Sequence, residues 1–152
     1  MKTLTVRWDD FEAAFIIGAP DSRYFVNLGN GAVEYTGHLD GETVRERVQR
    51  RVQSGEWLEI PRASTPEGMA EIAAFIEAQD DGELKARLRA GLAERKALMG
   101  FNKALGTDLP ARRRWSDHRM RGIHVRLLTF CRANDLVIDD PAFRDVVAAL
   151  DH

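Results

Sequence analysis

A single cysteine, Cys131, stands in the 152 residues, so no intrachain disulfide can form. The cysteine count therefore gives no hint of secretion. Long apolar runs are missing as well: no segment nears the roughly 20 residues that a membrane-crossing helix needs. The opening stretch MKTLTVRWDD turns acidic before any apolar run develops, which does not fit a signal peptide. A cytoplasmic chain with no membrane partner is the simplest expectation. Repeats, linkers and low-complexity tracts are also missing. Nor does one sign of charge dominate. With 22 basic and 24 acidic residues the net charge is −2, so there is no global pull toward nucleic acid or an anionic membrane.

Patterns that carry chemistry are equally sparse. Gly29-Asn30-Gly31 has the glycines of a phosphate-cradling loop, but neither a helix start nor a Lys-Ser/Thr pair follows it. His118 and His124 are six apart, and Cys131 lies seven further on, whereas helical metal pairs use three or four. His38 falls in a loop far away and His152 is the last residue. Ser116-Asp117-His118 holds the residue types of a hydrolase triad, yet adjacency in sequence does not make the required geometry. Ser116 reads better as a helix cap. Asp80 and Asp81 form a carboxylate pair that suits the start of a helix better than acid–base work. Cys131 falls on the apolar side of its helix, as an inert core thiol does. No catalytic residue, cofactor or metal ligand is expected.

What the chain does contain is a readable order of elements. It is long enough for one domain, residues 1–152, with a real core. DDFEAAFIIG reads as a short helix that Asp9 or Asp10 can start and Gly18-Ala19-Pro20 can stop. Tyr24, Val26 and Leu28 alternate, then Asn30-Gly31 supplies a tight hairpin turn before Val33 and Tyr35. DGETVRERVQRRVQSGE is a helix capped by Asp40, with Val44, Val48 and Val52 as its apolar stripe and Glu46 placed to pair with Arg50. EWLEIP is a short strand ended by Pro61. A helix follows with capping-box spacing at Ser64 and Glu67, Pro66 in its first turn, and Met69, Ile72, Ala73 and Ile76 inward. DDGELKARLRAGLAERKALMGF begins another helix, with Leu84, Leu88 and Leu92 inward. A long helix over about 115–133 and a short one from Asp140 or Pro141 to Leu150 complete the chain. The expected fold is α+β: a small antiparallel sheet, made of a hairpin plus one short strand, packed with a mainly helical C-terminal half.

Charge is unevenly placed along this order. Residues 103–132 hold 8 basic and 2 acidic groups, while residues 1–102 and 133–152 are each net acidic. On the long helix Met120, Ile123, Leu127, Phe130 and Cys131 gather on one side, with Arg119, Arg121, Arg126 and Arg132 mostly on the other. That split is what water imposes on any surface helix. The shortage of acidic neighbours is not, since only Asp117 is available within the helix. Arg112-Arg113-Arg114 add a basic loop beside Trp115. Arginine with an aromatic can grip single-stranded nucleic acid, and the guanidinium fork suits phosphate and carboxylate alike. The candidate contact residues are Arg112, Arg113, Arg114, Trp115, Arg119, Arg121 and Arg126. Two alternatives stand open: these arginines meet nucleic acid or an acidic protein surface, or they meet acidic blocks of this chain or of a second copy.

The hairpin, WLEIPRASTPEGMAEIAAFIE, ALMGFNKALGTDLPARRRW and LLTFCRANDLVI come in the order seen in uncharacterised protein family 0158, a bacterial family that this chain resembles over most of residues 23–138. Ile60-Pro61 and Ala74-Phe75-Ile76-Glu77 match the family's second motif. Ala97, Phe101, Leu105 and Trp115 keep the apolar skeleton of the third, and residues 134–138 take the closing position. The glycines and arginine pair of the third motif are absent, with Glu94, Lys96, Met99 and Gly100 in their place. The resemblance implies the order of elements and brings no activity. The resulting expectation is a small binding domain without catalytic machinery, working through a basic helix, or else a self-associating regulatory module.

Overall fold

A computed structural model describes residues 1–16, 23–37, 41–61 and 63–151. The cap expected at Asp40, the helix stop at Gly18-Ala19-Pro20, and His38 and His152 lie outside the described residues. The chain divides into two compact units, residues 1–63 with 123–152, and residues 64–122. A single cut in the sequence does not separate them, because the first unit is built from both ends of the chain.

The first unit carries β1 (Lys2–Leu4), α1 (Trp8–Ile16), β2 (Arg23–Asn27), β3 (Val33–Thr36), α2 (Glu42–Gln53), β4 (Trp57–Ile60), β5 (Leu136–Ile138) and α7 (Pro141–Leu150). Strands β3, β2 and β4 form an antiparallel sheet with β2 central, in the register Val26 to Val33 and Asn27 to Trp57. This is the small antiparallel sheet expected of an α+β chain. Val48 of α2 is buried with Phe25 and Trp57, and Val44 and Val52 pack against them. The valine stripe is thus the contact face of α2. Burial of such side chains is worth about 1.5–3 kcal/mol each. Glu46 meets Arg50 at 3.8 Å, as its spacing requires.

The hairpin turn is longer than the expected two-residue type. The last ladder bond runs from Asn27 N–H to the Ala32 carbonyl, and Asn27 Oδ1 accepts from the N–H groups of Gly29 and Asn30. Gly31 has φ 73°, and a Cβ there would overlap the carbonyl oxygen of Thr5. Only glycine fits that position. A second, parallel pair joins β1 to β5, with Lys2 opposite Leu136 and Leu4 opposite Ile138. No strand was expected at either place.

The second unit is helical: α3 (Thr65–Glu77), α4 (Glu83–Leu92), α5 (Ala97–Leu105) and the first part of α6 (Leu109–Ala133). Its core is Ile72, Phe75, Ile76, Leu88, Phe101, Ala104, Leu105 and Ala111, with Met69, Leu84, Leu92 and Trp115 packed against it. The capping box of α3 is complete, Ser64 accepting from the Glu67 N–H and Glu67 reaching back. Phe75 takes the inward place assigned to Ala73, which is exposed.

Three expectations fail here. The run from Asp80 to Phe101 is two helices, α4 and α5, whose backbones meet closely at Gly91 and Gly100. Asp80 and Asp81 do not cap α4. Gly82 holds the cap position, and Asp81 turns to Lys85 at 3.4 Å. Finally, α6 begins at Leu109, so Ser116 is not its cap and Arg112-Arg113-Arg114 are not a loop. The Asp108 carboxylate accepts from the Ala111 N–H at 3.0 Å and its carbonyl from Arg112, while Pro110 sits in the first turn, where it needs no donor.

Candidate basic docking face

The first part of α6, residues 109–122, belongs to the second unit. Its inward line is narrow. Ala111 is buried, and Trp115, His118 and Gly122 are half-buried along the same strip, at helical offsets of 0, 4, 7 and 11. Trp115 packs edge-on against Phe101 at 5.0 Å and Phe75 at 5.2 Å, and stacks with His118 at 5.9 Å. The His118 Nε2–H donates to the Glu71 carbonyl at 3.0 Å. Everything else on this half-helix except Met120 is exposed.

Five arginines occupy that exposed arc: Arg112, Arg113, Arg114, Arg119 and Arg121. Among the described residues none has a carboxylate within ion-pairing distance, although other arginines of the chain do. Asp117 lies one turn from Arg113, Arg114 and Arg121, yet pairs with none of them. Arg112 donates to the carbonyls of Gly106 and Asn102, so it caps the C-terminal end of α5. Arg114 donates to the Gln79 side-chain oxygen at 3.1 Å, a neutral partner. Arg113, Arg119 and Arg121 make no hydrogen bond or ion pair among the described residues.

The placement of these charges also runs against the helix dipole. Helices α1, α2, α3 and α4 each carry acidic residues in the first turn, where the partial positive charge favours them. Helix α6, like α5 and α7, has none there, and three consecutive arginines follow at its fourth to sixth positions. Nothing in the second unit offsets this locally beyond the capping Asp108.

Two candidates leave the cluster. Arg126 belongs to the first unit, is half-buried, and donates to the Phe15 carbonyl at 3.4 Å, which removes it from the exposed face. Trp115 is half-buried, its ring packed on Phe75, Phe101 and His118 and so not free beside the arginines. Arg132 is paired with Asp151 at 3.0 Å. What the sequence reading missed is that Lys103, Arg95 and Lys96, in the same unit, also lack an acidic partner among the described residues. Residues 95–121 hold eight basic and two acidic groups.

The other chemical candidates do not assemble. Ser116, Asp117 and His118 point away from one another around the helix, and His118 is committed to Glu71. His124 sits in the first unit against Glu12 at 2.8 Å. Burial pushes the Cys131 thiol up to about 12, so it stays protonated and unreactive. Among the described residues no three His, Cys, Asp or Glu side chains could share a metal ion, and no helix is long and apolar enough to cross a membrane. No family model, curated protein or solved structure matches the chain.

Proposed function

We propose that this chain is a non-catalytic binding domain whose contact face is the first part of α6, and that its partner is a polyanion, a nucleic acid or an acidic protein surface. One observation carries the reading. Five arginines stand exposed on a half-helix, and among the described residues none of them has a carboxylate partner. Buried or paired guanidinium groups would be spent within the fold, whereas these remain available to phosphate or carboxylate oxygens. A cytoplasmic setting and the likeness to uncharacterised protein family 0158 belong to the same proposal, the latter as a likeness of element order alone.

The test is retention on a heparin column. The unmodified chain, although net acidic, is retained at low salt. Replacing Arg113, Arg119 and Arg121 together by alanine lowers the eluting salt concentration sharply and leaves the thermal transition in place, because these three side chains make no internal bond. Flow-through of the unmodified chain, or equal elution of the triple variant, refutes the proposal.

A second reading has an observation of its own. Asp135, Asp139 and Asp145 of the first unit are exposed and make no ion pair among the described residues. They could receive the arginines of another copy. Self-association predicts a sedimentation mass above that of one chain at micromolar concentration, falling to one chain in high salt.

A further inference from the structure

We infer that the polyanion is double-stranded DNA, met by the first part of α6 lying in a major groove. This rests on the reading of that half-helix as an anion-docking face and narrows it to one class of partner.

The aromatic inventory argues against unpaired bases. Single strands are gripped by aromatic rings on which bases stack. Residues 64–122 contain three residues of the Phe, Tyr and Trp kind; Phe75 and Phe101 are buried, and half-buried Trp115 is wedged against both and against His118. The basic face therefore offers charge without a stacking platform, a combination suited to a phosphate backbone whose bases are already paired.

The arrangement around the helix argues for a groove over a flat surface. With 100° between successive residues, Arg112 and Arg119 share one flank and Arg114 and Arg121 the other, roughly 200° apart across the exposed side. Arg113, Ser116 and Asp117 form the exposed crest between them, with half-buried Met120 at its far end. A flat acidic protein surface could reach one flank or the crest. A groove reaches all three. The fourteen residues make a rod about 21 Å long and about 10–12 Å across with side chains. The major groove of B-form DNA is about 12 Å wide and admits one helix with phosphates along both walls. The A-form groove of duplex RNA is too deep and narrow for this. Because Arg112 is partly engaged at the end of α5, Arg119 carries its flank, and Arg114 and Arg121 the other. Asp117 is the single negative charge on the crest.

The experiment is fluorescence anisotropy with a labelled 20-base-pair DNA duplex, either of its strands alone, and the matching RNA duplex, each titrated over a salt series. The DNA duplex is expected to bind at least about tenfold tighter than the other two at the same salt. With four phosphate contacts, from Arg113, Arg114, Arg119 and Arg121, the log–log slope against salt is about −3 to −4, or roughly a hundredfold loss between 50 and 200 mM. Replacing Arg113, Arg119 and Arg121 by alanine reduces the slope to about −1. Asp117→Asn tightens duplex binding severalfold, since it lifts a like charge from the phosphates, and an acidic-protein partner offers no reason for preferring duplex over strand. Equal or tighter binding of a single strand or of the RNA duplex overturns the inference. Duplex DNA left unbound by a chain that heparin does retain also overturns it, with the docking face still standing. Failure of both retention and duplex binding removes the docking face itself.

Discussion

Two glycine-to-alanine substitutions of identical chemistry should move the stability of the second unit in opposite directions. Gly68 lies inside α3 with nothing near its missing side chain, and its φ is not positive. Alanine there removes the backbone freedom that glycine adds to the unfolded chain and supplies a better helix former. The gain is about 0.5–1 kcal/mol. Gly100 lies inside α5 with its Cα against α4. A Cβ there would overlap the Gly91 carbonyl oxygen, reach 2.9 Å from that carbonyl carbon and 2.8 Å from Glu94 Oε2. The glutamate can swing away, but the backbone of α4 cannot without separating the two helices over Leu88 and Ala104.

The same propensity gain of about 1 kcal/mol applies at Gly100, and against it stands an overpacking cost of about 1–3 kcal/mol plus the lost contacts of helices held apart. We expect a net loss of about 1–2 kcal/mol. For a chain of this size each kcal/mol moves the midpoint by about 2–4 °C. Thermal melts followed by far-ultraviolet circular dichroism should then show Gly68→Ala shifted up by about 2 °C and Gly100→Ala shifted down by about 2–8 °C. A Gly100→Ala protein as stable as the unmodified chain would refute the argument that α4 and α5 need a glycine at their closest approach.

Two further outcomes follow from the electrostatics. The Glu77 carboxyl is held below the usual carboxylate range, chiefly by the side-chain hydrogen bonds that Arg89 donates at 2.8 and 3.0 Å. A depressed folded-state value gives stability that is present at neutral pH and lost as pH falls through that lowered value. Glu77→Gln should thus melt below the unmodified chain at neutral pH, with the gap closing on acidification. A gap that persists in acid would point to packing instead. The Cys131 thiol, pushed up to about 12 by burial, should resist a thiol reagent at pH 8 and react fully only in denaturant. Prompt labelling of the native protein would contradict its placement.

Legibility in the sequence followed the range of the interaction. The valine stripe of α2, the Ser64–Glu67 box and the Asp140-Pro141 start of α7 each rest on residues within one or two turns, and each stands in the structure. Strands β1 and β5 are three residues apiece and exist through pairing across more than 130 positions, which no local period signals. The break between α4 and α5 has no local signal, since Leu84, Leu88 and Leu92 keep their period up to it. The start of α6 is different. Asp108 followed by Pro110 was a usable signal, overlooked in favour of Ser116.

That misplaced helix start bears on the candidate site. Read as a loop, three consecutive arginines need no explanation, since loops carry charge freely. Placed in the first two turns of a 25-residue helix, they oppose the dipole, repel one another, and find no carboxylate among the described residues. Each unfavourable charge near a helix N-terminus costs about 0.3–1 kcal/mol at low salt. Sequences that specify a fold usually agree with it at every level, and local rules tend to break where function needs them broken. Helices α1, α2, α3 and α4 carry acids in the first turn and α5, α6 and α7 do not, but only α6 follows with a run of arginines. One of the three arginines has an internal purpose, Arg112 at the end of α5. Arg113 has none among the described residues, and its replacement by alanine should leave the melt where it is while weakening duplex binding. A binding loss at unchanged stability from one substitution would separate a docking residue from one that holds the fold together.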